Sequence, residues 1–210
     1  MVGSNPATRP AIEAFYKSLL LCLDAHFAAG HPFLLGTRPC AADFAVLGQL
    51  HPMIALDPET SRMSRGMSPR VCAWYTYCVD LSGHSVADEG AGWIDTGAAT
   101  PLPPTLVAIL KLVGGYYTPF LLANAAAVQN GEATFTCQLR PPASARAPET
   151  VVEATTWGQP SFKYQAKCLK WLHEGYAELP AVDRGWVEDR LKGTGALPLL
   201  RPPPPPTPKL

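Results

Sequence analysis

The sequence predicts a mainly α-helical fold with one small β-hairpin in its C-terminal half. Three observations carry this expectation. Apolar residues recur at spacings of three and four through most of the chain, which is the period of a helix face. Prolines stand where such runs begin, at Pro10, Pro69 and Pro104. Proline suits the first helical turn because its missing N–H has no partner there. The stretch EATFTCQL alternates polar and apolar residues, a strand signature.

The first expected helix covers residues 8–29. Ile12, Phe15, Tyr16, Leu19, Leu23 and Phe27 share its inner face, Thr8 caps its start and Gly30 stops it. HPFLLGTRP follows as a loop anchored by its apolar residues, with Gly36 supplying a turn. The second helix covers 40–54, with Phe44, Leu47, Leu50 and Ile54 inward. The polar stretch after it holds one helical turn, at 58–63. A third helix spans 69–81, with Val71, Trp74, Tyr75 and Cys78 on its buried side. Residues 82–104, rich in Gly, Ala and polar side chains, read as a surface loop.

Residues 104–113 and 117–129 read as two buried helices joined at Gly114-Gly115. Strands are expected at 132–139 and at 150–157, where β-branched residues concentrate, joined by a loop at 140–148. A helix at 161–179 places Phe162, Ala166, Leu169, Leu172 and Tyr176 on one side. A short helix covers 182–191. Residues 198–210 form a Pro-rich tail that composition marks as disordered. The expected organisation is one helical domain over 1–197, with a core bundle at 8–84 and an extension carrying the hairpin at 101–197.

Composition narrows the function classes. The 210 residues include 17 Lys and Arg against 17 Asp and Glu, so net charge is zero. An interspersed, neutral balance gives no electrostatic footprint for nucleic acid or an anionic membrane, and neither partner is expected. The apolar stretch 105–128 has the length of a membrane span, but Lys111, the Gly pair, Pro119 and Asn124 interrupt it. The first residues lack the pattern of a secretory leader, so a cytoplasmic location is expected. Cys22, Cys40, Cys72, Cys78, Cys137 and Cys168 form no C-x-x-C pair and match no zinc spacing. His26, His31, His51, His84 and His173 are scattered without carboxylates at triad or ligand spacing. No metal site and no phosphate-binding Gly-rich loop is expected.

The sharpest local signal is RPCAADFAVLGQL, residues 38–50. With Cys40 as the residue before the helix, Asp43 stands at its third position. A carboxylate there reaches back to the Cys40 N–H, completing one half of a capping box. Its charge also meets the positive end of the helix dipole. Pro39 and Phe44 occupy the two positions of a hydrophobic staple. This spacing makes Asp43 a helix cap rather than a catalytic acid.

The same residues carry a family resemblance. HPFLLGTRPCAADFAVLGQL resembles the segment of glutathione transferases that leads into the capped helix of their C-terminal helical domain. The family pattern, Phe-Leu-Leu-Gly-x-x-Pro-Ser-x-x-Asp, is matched at Phe33, Leu34, Leu35, Gly36, Pro39 and Asp43, with Phe44 following, and is broken at Cys40. PATRPAIEAFYKSLLLCLDAHFA and PRVCAWYTYCVDLSG are similar to the helices on either side, and SFKYQAKCLKWL and LKGTGALPLL to the family's C-terminal segments. The likeness covers most of residues 5–200 and is specific around 31–50. It implies the glutathione-transferase C-terminal-like helical bundle. It also implies an apolar co-substrate pocket, for which Trp74, Tyr75, Tyr116, Tyr117 and Phe120 are the candidates by residue type.

In that family a thioredoxin-like domain binds glutathione and supplies the catalytic Ser, Tyr or Cys. The residues before the matched loop are taken up by one helix, so that domain is expected to be absent and no residue here inherits a catalytic role. The chain alone is then expected to bind no cofactor. Glutathione enters only if a thioredoxin-like partner completes the chain, or if this is a partial form of such an enzyme. A homo-oligomer is the other expected association. A non-catalytic interaction module and a scaffold for apolar ligands are the competing readings.

A thiol is a poor hydrogen-bond acceptor, so Cys40 weakens its half of the box. Cys40→Ser is expected to stabilise the chain by about 1 kcal/mol in urea unfolding.

Overall fold

Asn5 caps the turn that leads into the first helix. Its side-chain oxygen accepts the N–H groups of Ala7 and Thr8 at 2.9 and 3.1 Å, satisfying donors that a helix start leaves orphaned. The cap expected of Thr8 is thus supplied by Asn5, while the Thr8 hydroxyl bonds the Gly3 carbonyl at 2.8 Å. In this computed structural model the described residues are 3–85, 91–94, 100–140 and 154–201. The expected loop at 140–148 beyond Arg140, the strand start at 150–153 and the proline run from 202 onward lie outside them.

Among the described residues the chain is mainly helical with one two-stranded antiparallel sheet. Its helices are α1 (Arg9–Ala28), α2 (Ala41–His51), α3 (Pro58–Met67), α4 (Pro69–Val79), α5 (Pro104–Leu112), α6 (Thr118–Gln129), α7 (Lys163–Glu178) and α8 (Ala181–Leu191). The strands are β1 (Thr134–Leu139) and β2 (Thr155–Pro160). Contacts divide the chain into two units: 17–109, and 1–16 together with 110–210. The division falls within α1 and α5.

Within the 17–109 unit, Leu20 and Leu23 of α1, Phe33 and Leu34 of the following loop, Leu50, Ile54 and Val71 are buried. Two expectations fail here. Phe44 is 51% exposed, because burying Asp43 turns the next position outward; it does not act as the inner half of a staple. The polar stretch after α2 is a full helix rather than one turn. Asp57 caps α3 by accepting the Thr60 N–H at 2.8 Å, and Pro58 sits in its first turn. Ser68 and Pro69 then end α3 and start α4. Between α2 and Asp57 the helix widens into a π turn, Pro52–Leu56.

The other unit is organised by α6. Leu121 packs with Leu169 of α7 and Leu199 of the 3₁₀ turn Leu197–Leu200. Leu199 and Leu200 are buried, so the start of the expected disordered tail, at 198–200, is part of the core instead. β1 turns Phe135 and Leu139 inward, and the Phe135 ring meets Phe120 edge-on at 5.2 Å. β2 pairs from Thr134↔Pro160 to Leu139↔Thr155, which carries the second strand past its expected end at 157 to Pro160. Asn124 is wholly buried. Its side chain accepts the Phe162 N–H at 2.7 Å and donates to the Phe162 carbonyl at 3.0 Å. That pair pins the start of α7 to α6. The expected apolar face of α7 is only partly used: Leu169 is buried, whereas Phe162 and Leu172 are 51% and 43% exposed. The apolar stripe of α7 is wider than the surface it packs against.

Residues 104–129 do not break at the Gly pair. α5 continues into α6 through a π turn, Val113–Tyr117. The Gly115 carbonyl accepts the Arg140 N–H at 2.9 Å, one backbone group released from the regular ladder by the wider turn. The run Pro104–Gln129 is 26 residues long with hydropathy 1.6 in its most apolar window, of which 28% is buried. It therefore has the length and composition of a membrane span, a test that core helices also pass, and it is less buried than expected.

Gly114 is where the π turn meets the backbone of Thr194 and Gly195. A methyl group there would lie 2.0 Å from the Thr194 carbonyl oxygen and 2.7 Å from Gly195. Both neighbours are main chain and cannot rotate away. Gly114→Ala is expected to cost about 3 kcal/mol in denaturant unfolding.

Candidate functional site

The best-defined constellation in the 17–109 unit grows from the capping box. Asp43 is 1% exposed. Its Oδ2 accepts the Cys40 N–H at 2.9 Å and the Cys40 S–H at 3.1 Å. Its Oδ1 accepts the Leu34 N–H at 2.8 Å. The Asp43 N–H faces the sulfur in return, but donates to the Cys40 carbonyl at 3.0 Å rather than to the thiol. One carboxylate thus joins the start of α2 to the loop before it.

That loop is folded tightly on itself. The Phe33 N–H reaches the Gly36 carbonyl at 3.0 Å and the Gly36 N–H the Phe33 carbonyl at 3.3 Å. Gly36 has φ +133, a conformation that favours glycine. It also forms an antiparallel bridge with Trp93. Thr37 N–H to Gly92 carbonyl and Ile94 N–H to Leu35 carbonyl, both 2.7 Å, extend this pairing. Residues 92–94, read as loop from sequence, are therefore a short arm paired onto the matched motif.

His26 ties in a third segment. It is 0% exposed. Nε2 lies 3.2 Å from the Phe33 carbonyl and Nδ1 2.8 Å from the Thr105 hydroxyl. A carbonyl only accepts, so Nε2 carries the proton and Nδ1 accepts from Thr105. This holds the segment entering α5 against the 33–37 loop. His31 stacks on His26 with ring centres 4.8 Å apart.

The three segments border an open cleft of about 440 Å³, lined by His31, Thr37, Trp93, Ile94, Leu102 and Pro103 among others. Its size falls in the range of small-molecule sites, and its lining has their character, apolar with few polar groups. Trp93 is 43% exposed, and the Arg38 guanidinium stands 5.5 Å from its ring centre. The cavity can hold an apolar, planar molecule against the indole, with the His31 ring and the Thr37 hydroxyl as polar edges.

None of the five aromatic candidates lines this cavity. Trp74 is buried and stacks on Phe27 at 5.2 Å. The Tyr75 hydroxyl bonds His51 Nδ1 at 2.7 Å. Tyr116, Tyr117 and Phe120 belong to the other unit. There Tyr116 meets Phe15 edge-on at 4.9 Å, and Tyr117 stacks on Phe120 at 6.2 Å. Sequence reasoning missed His26, Trp93 and Thr105. The interval of three from Leu23 to His26 was the one available signal that this histidine faces inward.

Cys78, Tyr116 and Cys40 are not poised as nucleophiles. Burial pushes the Cys78 thiol up to about 11 and the Tyr116 hydroxyl to about 12. Burial, followed by the bond to Asp43, raises Cys40. Each stays protonated at neutral pH, whereas the thiolate is the reactive form of cysteine. Among the described residues no group of His, Cys, Asp and Glu is arranged to hold a metal ion.

Comparison with protein-family models, with curated proteins and with solved structures finds no match for this chain.

A Cβ on Gly36 would lie 2.2 Å from the Gly92 carbonyl oxygen, in a backbone region that L-residues rarely adopt. Gly36→Ala is expected to cost about 2–4 kcal/mol and to detach the 92–94 arm. Denaturant unfolding and faster amide exchange at Ile94 are the measurements.

Proposed function

We propose that this chain is a glutathione-transferase-like helical protein that is not catalytic on its own and binds apolar small molecules in the cleft beside Trp93. The observation that carries this reading is the Asp43 junction. The motif that resembles the family's capped helix, Phe33 to Asp43, is also the floor on which the cleft is built. Asp43 fixes the loop, the loop fixes the 92–94 arm, and the arm presents Trp93. The apolar lining supports binding, and the protonated thiols and phenol support the absence of chemistry. In this reading glutathione is no ligand of the chain alone. Conjugation would require a thioredoxin-like domain to supply the activating residue.

The test pairs two assays on the purified chain. Glutathione conjugation to chlorodinitrobenzene is expected to proceed at the buffer rate. An anilinonaphthalene sulfonate dye is expected to bind saturably, with at least about tenfold weaker binding in Trp93→Ala, since loss of a stacked aromatic removes about 1.5 kcal/mol or more. Trp171→Ala, on the exposed face of α7, is the control and should leave binding unchanged. Turnover by the chain alone would overturn the non-catalytic part. Equal dye affinity in Trp93→Ala would overturn the cleft.

A further inference from the structure

We propose that His26 is a pH-operated latch on this cleft, joining its walls at neutral pH and releasing them on acidification. The use of the latch in ligand release rests on the cleft being a binding site; the latch itself rests on geometry. One wall is the 33–37 loop and the other is the segment from Pro101 to Thr105. His26 touches both, through the Phe33 carbonyl and the Thr105 hydroxyl.

A neutral imidazole offers one donor and one acceptor, and both are used here. A second proton turns Nδ1 into a donor facing a hydroxyl that is itself donating. Thr105 must then rotate its hydrogen away, and a full positive charge is left in a site sealed from water. Two titratable groups face His26. His31, stacked on the ring at 4.8 Å, opposes the added charge. The Asp43 carboxylate favours it, but both its oxygens are committed to the loop and to the helix start. Burial is the largest influence and, with His31, outweighs Asp43 and the backbone of Phe33 and Leu34. The imidazole is held below its ordinary 6.5.

The sign follows from linkage. In the open state the imidazole regains its ordinary affinity for protons, so protons favour opening. Stability of the closed cleft is fully present above 6.5 and is lost as pH falls towards the lowered closed-state value. Across that window the opening constant rises by up to about tenfold per pH unit.

Amide exchange read by NMR between about pH 7.5 and pH 5, corrected for intrinsic rates, tests the latch. The Val107 N–H, bonded to the Pro103 carbonyl, reports the α5 wall. Its protection is expected to fall on acidification while the β1–β2 ladder keeps its own. In His26→Gln, whose amide can donate and accept but does not titrate, the profile should be flat. Thr105→Val keeps the histidine and removes the hydroxyl, and should lower Val107 protection at about pH 7.5 by about fivefold. A pH-independent Val107, a parallel loss in the ladder, or an unchanged profile in His26→Gln would overturn the latch. Dye titration at about pH 7.5 separates the two claims. Absent dye binding with a titrating Val107 removes the binding site and leaves the latch; dye binding with a flat Val107 removes the latch alone.

Discussion

Asp43 carries a negative charge in a place that water does not reach, and the region around it is arranged to satisfy that charge. A buried carboxylate is tolerated only when donors replace its hydration. Here they come from Leu34, Cys40 and the N-terminal end of the α2 dipole. Two of these donors are backbone N–H groups, so the carboxylate fixes main chain rather than side chains. The loop that it fixes positions everything downstream: Gly36 faces Trp93, the Phe33 carbonyl faces His26, and His26 reaches Thr105.

The legible part of this arrangement was the local part. The Cys40–Asp43 spacing announces a helix start because a capping box is a relation across three residues. The reach of Asp43 back to Leu34 spans nine residues, and no sequence rule encodes it. The 92–94 arm was invisible because Gly92-Trp93-Ile94 has no alternation and borrows its strand character from its partner. α3 was underestimated because it is polar, although Asp57, Pro58 and Thr60 spell a cap in the order a helix start requires.

Glycine and asparagine misled in the other half of the chain. Gly114-Gly115 read as a break, since glycine is a poor helix former. Its actual use is close approach: the absence of a side chain lets the backbone of Thr194 and Gly195 settle against the helix. Asn124 read as another interruption of an apolar run, and is instead the buried bracket that holds the start of α7. Both residues answer to segments far away in sequence. Local propensity therefore assigns them to the wrong cause while still placing helix on either side.

The hydrogen bond from His26 to Thr105 joins residues 79 apart, whereas the Asp43 contacts close over three and nine. Loop closure grows costlier with length, and distant contacts form after near ones have repaid their own ordering. The capping box therefore belongs to the early part of folding and the cavity to its end. During synthesis the same order is enforced by the chain itself. The floor of the cleft is complete once Asp43 has emerged, but its second wall must wait for Thr105. Throughout that interval Nδ1 of His26 has no Thr105 hydroxyl from which to accept.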